Sequence, residues 1–247
     1  MIGPERCIDE LIPMLTELVD KIDCNPELML HLADQLGKLS EYLGAPEASV
    51  HLLKPLEQIL PSDDSAVREK AIASLKIVGE KISPSSIPSH YLPLVKRLRK
   101  GDLYSMRISA CFLYAQIYHR LDNSEDEGRD YARSKFAKLA KDDTPMVRRG
   151  AAQSVAIIAE GMEGESLKTF LVPVLRALLQ DDNDSVKIQA VYSTPTVARL
   201  LHAREPAEAS LIMHAEIVPP LTIAVENKMA SWRLRFSVAE MGALIAE

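Results

Sequence analysis

A basic residue returns at Arg68, Arg107, Arg148, Lys187 and Arg235, at intervals of 39, 41, 39 and 48 residues. Such cations could bind phosphate or pair with carboxylates. An acidic residue precedes each early member of the column closely, at Asp63, Asp102, Asp142 and Asp182, with Asp23 ahead of a first, neutral site. Charge-assisted pairing within or between turns is the chemistry this spacing predicts, a ladder that fixes stacking rather than a phosphate stripe. No catalytic constellation competes with it. The chain has no Walker loop, dinucleotide fingerprint, G-x-S-x-G elbow or H-E-x-x-H helix. His31, His51, His90, His119, His202 and His214 are scattered, no His-Glu dipeptide occurs, and Gly161 to Gly164 is too short to cradle a phosphate. A non-enzyme with no metal and no cofactor is expected.

The elements that position this column emerge from one pattern found six times. Just before each basic position stands an aliphatic anchor: Leu28, Val67, Met106, Val147, Val186 and Leu234. Three residues ahead of the anchors come Asn25, Asp64, Leu103, Thr144, Asn183 and Ser231, five of which can accept a hydrogen bond from the free amides of a helix start. Pro26 and Pro145 follow two of these caps, where the missing N–H costs nothing. Four residues past the anchors stand Leu32, Ala71, Ala110, Ala151, Ala190 and Val238, small or aliphatic on the same helical face. Upstream lies another apolar stripe with an early proline, at Pro13, Pro55, Pro93, Pro173 and Pro219-Pro220, with Phe136 near the equivalent point of the fourth unit. Each unit therefore reads as helix, acidic turn, capped helix.

This period matches HEAT and armadillo arrays rather than the shorter ankyrin or tetratricopeptide units. The expected fold is all-α: a right-handed α-solenoid, or superhelix, of about six HEAT repeats, an armadillo-like helical fold. A single array over 1–247 would divide near 7–43, 47–83, 88–122, 126–162, 164–203 and 207–247. The wider final gap places extra residues around Ala203 to Ser210, and Pro195 should bend its helix.

Composition agrees. Hydrophobic residues reach 47% with only 5% aromatic, so the core is mostly aliphatic and suits helices. The net charge of −6 disfavours a nucleic-acid binder, and the run Lys96, Arg97, Arg99, Lys100 reads as a solvated helix face. Cys7, Cys24 and Cys111 lack metal or disulfide spacing and read as buried thiols in a reducing compartment. No signal peptide or uninterrupted apolar span is apparent, so a cytoplasmic, possibly also nuclear, location and no membrane partner are expected. Asp122 to Asp130 reads as a solvated linker.

Particular segments sharpen the picture: Leu28 to Gly37 (LMLHLADQLG), Val67 to Leu75 (VREKAIASL), Pro93 to Leu98 (PLVKRL), Lys141 to Ala152 (KDDTPMVRRGAA) and Ser231 to Arg235 (SWRLR). By these the chain resembles the scaffold (A, 65-kDa regulatory) subunits of protein phosphatase 2A, specifically the N-terminal part of their array. The resemblance implies a non-catalytic scaffold whose intra-repeat turns receive a variable, B-type regulatory subunit. It also implies that the catalytic subunit is held only if further C-terminal repeats exist. The residues it marks for partner contact are Asp143, Thr144, Pro145 and Met146 in the fourth turn and Ser231, Trp232 and Arg233 in the sixth. Leu103 departs from the aromatic residue usual in the third turn, and Tyr104 is the candidate to replace it. Arg149 lies one position round the helix from the ladder and is a candidate for either role. The competing reading is a HEAT adaptor of nuclear transport or microtubules, against which the acidic turns weigh.

Overall fold

A computed structural model describes residues 3–22, 25–122, 128–227 and 229–246, with side chains to residue 242. Asp23, Cys24, most of the 122–130 linker and the side chains of the terminal run Ala243 to Ile245 lie outside these. Among the described residues the secondary structure is helical, without a strand. Twelve principal helices alternate as first and second members of a unit. They are α1 (Ile12–Lys21), α2 (Pro26–Leu39), α3 (Leu53–Ile59), α4 (Ser65–Lys81), α5 (Leu92–Arg99), α6 (Tyr104–Ile117), α7 (Arg129–Leu139), α8 (Pro145–Glu160), α9 (Val172–Leu179), α10 (Asp184–Arg204), α11 (Val218–Glu226) and α12 (Trp232–Ala246). They form two compact units, Met1–Leu113 with Arg120–Gly128, and Tyr114–His119 with Arg129–Glu247.

The prolines of the first helices do not start them. In four units the helix begins earlier and runs into the proline through a π-helical turn: Cys7–Leu11, Ile87–Tyr91, Leu167–Leu171 and Met213–Ile217. Proline has no N–H, and its ring crowds the carbonyl four residues back. The residue just before it therefore reaches five back instead: Ile12 to Cys7, Leu92 to Ile87, Val172 to Leu167 and Val218 to Met213. α3, with Pro55, is preceded by the 3₁₀ segment Pro46–Leu52. In α7, where Phe136 replaces proline, the helix is plain α throughout.

Four of the five predicted caps close on the amides of their second helices, and Thr144 starts α8 without a side-chain cap bond, Pro145 having no N–H to offer. Asn25 accepts from the Leu28 amide at 3.1 Å, Asp64 from Ala66 and Val67 at 2.8 and 3.1 Å, and Asn183 from Ser185 at 2.9 Å. Ser231 accepts from Leu234 at 3.3 Å. Each such cap is worth about 1 kcal/mol. Pro195 does not end α10, which continues through it to Arg204 as the longest helix at 21 residues. Much of the extra length of the last interval is therefore helix rather than loop.

Within each unit second helices pack on second helices, α2 on α4, and α10 on both α8 and α12. Small residues permit the approach. A Cβ built on Gly37 would lie 2.6 Å from Ser74 Oγ and 3.1 Å from the Ser74 Cα, and Ser193 Oγ reaches the Ala152 carbonyl at 2.8 Å. Two arginines seal the far ends. Arg120 donates to the carbonyls of Gly79 and, at 2.7 Å, Ile82, where α4 ends, and Arg204 to Ala159 at 2.9 Å, Glu160 at 3.0 Å and Met162, where α8 ends. A cation there meets the negative end of the helix dipole and otherwise unpaired carbonyls.

One stretch tempers the membrane reading. The helical segment Ala209–Glu226 is long and apolar enough to cross a bilayer by length and average hydropathy. It is nevertheless interrupted by polar residues, and Glu216 within it pairs with Arg176 at 2.6 Å.

Replacing Gly37 by valine should force α2 away from α4. Overpacking of this kind costs about 1–3 kcal/mol; thermal melting should show the loss, and Ser74→Gly in the same chain should restore part of it.

Candidate partner-binding site

The ladder residues at the start of the second helices work chiefly on backbone. Arg68 Nη1 donates to the carbonyls of Ser62 and Asp63 at 2.7 and 2.8 Å, and Arg107 Nη1 to those of Gly101 and Asp102, both at 3.0 Å. Arg148 Nη1 repeats the contact on Asp142 and Asp143 at 2.9 and 3.2 Å. The guanidinium thus holds the turn that follows the first helix, five and six residues behind itself. For Arg68 the carbonyls of its own turn take the place of the expected bond to a carboxylate.

Arg148 also makes an inter-repeat pair. Its Nε and Nη2 grip Asp181 at 2.7 and 3.0 Å in bidentate fashion, and Nη2 reaches Asp182 at 2.6 Å. Lys187 has no such target, because the positions of Asp181 and Asp182 are held in the sixth turn by Met229 and Ala230. It turns to Asp184 at 2.8 Å, whose other oxygen accepts the Ser231 amide at 3.0 Å. Arg235 is exposed and makes no side-chain bond among the described residues.

These contacts fix the turns and leave particular side chains outward. In the first compact unit, Leu103 and Tyr104 are exposed at the start of α6. In the second, Met146 and Asp143 are exposed while Thr144 and Pro145 are half-buried, with the Asp142 carboxylate accepting the Thr144 amide at 2.9 Å. Arg149 is half-buried and forms no ion pair among the described residues. Trp232 is 62% exposed, so it does not belong to the core, and the Arg233 guanidinium stacks 4.9 Å from its ring. Such stacking is worth about 0.5–1 kcal/mol in the open and holds the ring in place.

Two residues beside these were not singled out from sequence. Met229 is 91% exposed in the sixth turn, and Phe236, also exposed, lies four residues after Trp232 on the same helical face. The i, i+4 aromatic spacing was the signal available. Among the described residues no cluster of histidine, cysteine or acidic side chains could hold a metal, and Cys7 and Cys111 are buried.

The Arg148 pair also carries a pH signature. Burial pulls the Asp181 carboxyl upward, but hydrogen bonds from Arg148 and the Asn183 amide outweigh it, and the net value is lowered. A carboxyl depressed in the folded state stabilises above its unfolded value of about 3.9 and loses that stabilisation as pH falls through the folded value. Arg148→Ala should cost about 2 kcal/mol at neutral pH, by leaving Asp181 unpaired and the turn carbonyls open. In thermal melts from pH 7 down to pH about 3, Asp181→Asn should start less stable than the wild type and lose less stability on acidification.

No family model matches the chain. Curated relatives do. The A-type regulatory subunit of protein phosphatase PP2A from Schizosaccharomyces pombe is 34% identical over 238 residues, covering 96% of this chain and 38% of that protein. A probable PP2A regulatory subunit of Caenorhabditis elegans is 36% identical over 200 residues, 81% of this chain and 33% of that one. The protein phosphatase 2A scaffold subunit of Dictyostelium discoideum is 38% identical over 173 residues, 70% of this chain and 29% of its own length. The chain therefore spans about a third of the length of the relatives it matches. Among solved structures, Cex1p aligns with a TM-score of 0.59 at 17% identity, over 97% of this chain and 44% of that one. An engineered protein aligns with a TM-score of 0.51 at 18% identity over 94% and 98% of the two chains. Those two likenesses speak to the fold alone. The sequence relatives go further: the chain is a homologue of the A-type regulatory, or scaffold, subunits of protein phosphatase 2A and belongs with their family.

Proposed function

We propose that this chain is a non-catalytic scaffold element of a protein phosphatase 2A complex, whose turns bind a B-type regulatory subunit. The observation that carries the reading is the likeness, along 96% of the chain, to an A-type regulatory subunit of the phosphatase. The geometry supports it: a partner would meet side chains held out by hydrogen-bonded turns, so little conformational freedom is lost on binding. Met146 and Trp232 offer exposed apolar area of the kind that anchors interfaces, and Asp143 and Arg233 offer charge beside it. A scaffold of this kind makes and breaks no bond; it raises the effective concentration of what it carries. A cytoplasmic and nuclear location is part of the same proposal.

Purified chain, immobilised and offered recombinant B-type and catalytic subunits separately, tests it. The regulatory subunit should be retained, and Met146→Ala with Trp232→Ala should weaken retention about tenfold, the equivalent of about 1.4 kcal/mol. Failure to retain any B-type partner at micromolar concentration would sink the reading.

A further inference from the structure

In the first compact unit, polar side chains bridge the seams between consecutive first helices. Arg97 donates to Glu57 in bidentate fashion at 2.6 and 2.7 Å, and one seam earlier Gln58 donates to Asp20 at 2.9 Å. Glu57 stands seven residues before its cap position, Asp64, and Arg97 six before Leu103. Counted in the same way from Thr144 and Asn183 in the second unit, the two places are held by Ala137 and Ala177. Neither methyl group can bridge, and the seam between α7 and α9 is left without this clasp.

A groove of about 220 Å³ lies at that seam, lined by Ala137, Ala140 and Ala177 together with the buried Val174 and the half-buried Phe170. Ala140 enlarges it: four residues before the cap, the second and fifth units carry the buried leucines Leu60 and Leu179. Both α7 and α9 lie inside the array, so the groove owes its openness to these small side chains. A cavity of about 150 Å³ accepts a benzene ring, and sites for whole small molecules begin near 300 Å³. The groove is thus of a size for one aromatic or branched aliphatic side chain. Lys141 also lines it, and Lys138 stands three residues earlier on the same helical face. Both lysines are exposed, and among the described residues neither pairs with a carboxylate, in a chain whose net charge is −6.

We propose that this groove docks an acidic peptide segment of a partner protein, an aromatic or leucine side chain entering between Ala137 and Ala177 and carboxylates beside it meeting Lys138 and Lys141. Charge selects the occupant. Two cations without carboxylate partners at the mouth favour an acidic segment and repel a basic one, while the alanine, valine and phenylalanine lining supplies a pocket for an apolar anchor. An anion with no apolar group would leave that lining unused. The site is built from first helices rather than from the turns that would receive a regulatory subunit, so it goes beyond the scaffold reading and does not rest on it.

A displayed library of random peptides, selected on the immobilised wild-type chain and counter-selected on Ala137→Glu/Ala177→Arg, tests it. The double variant copies the Glu57 and Arg97 bridge into the open seam and should fill the groove. Ala137 is half-buried and Ala177 exposed, so its circular dichroism should remain helical. Peptides that bind the wild type and not the variant should share a Phe, Trp or Leu flanked by Asp and Glu. In fluorescence anisotropy, Lys138→Glu/Lys141→Glu, altered only at exposed positions, should bind the same peptides about tenfold more weakly. The proposal is overturned by a selection in which no peptide distinguishes the wild type from the bridged variant, by selected peptides that are basic or lack an apolar anchor, or by affinity unchanged in the lysine variant.

Discussion

A hairpin of two amphipathic helices has more apolar surface than its own contact can hide. Everything else in this chain answers that constraint. Each hairpin must meet another, and the meeting must occur at a set distance, because a core of aliphatic side chains tolerates neither gaps nor excess volume. Gly37 against Ser74, and Ser193 against the Ala152 backbone, set that distance where consecutive second helices meet. Larger residues there would separate the helices and uncover the leucines beside them.

Stacking alone would not hold the turns, which carry little apolar surface. Their order comes from polar contacts that reuse the ends of helices. At Arg68, Arg107 and Arg148 the basic residue one step past the anchor holds the carbonyls of the turn behind it, and at Asn25, Asp64, Asn183 and Ser231 the cap residue takes free amides ahead. Arg120 and Arg204 do the same at the far ends of α4 and α8. A turn tied on both sides displays its remaining side chains in fixed positions, as Trp232 under Arg233 illustrates.

The helical class, the placement of caps and the six second helices were legible from residue types at a fixed interval, because capping and burial act on single positions. The role of the basic column was legible only in part. Sequence spacing shows that a carboxylate is near, but not that Arg68, Arg107 and Arg148 all also take the carbonyls beside it. Lys187 shows the same limit in another form: its partner is decided by the loss of the acidic pair at Met229 and Ala230. The exposure of Phe236 and Met229 was hidden because an isolated apolar residue near an apolar stripe looks like core.

The π-helical turns before the prolines have an implication for how such chains change over time. A π turn is an α-helix that has absorbed one additional residue without breaking. The first helices therefore hold a spare residue at a defined spot, and a one-residue deletion between Cys7 and Leu11, or at the equivalent turns of later repeats, could be taken up locally, leaving the side chains downstream of the proline on their faces. α7, with no proline and no π turn, has no such slack. Length variation in this array should be tolerated unevenly, repeat by repeat, according to whether a π turn precedes the proline, which sets the repeat of Pro55, with its 3₁₀ segment, apart from the four that have one.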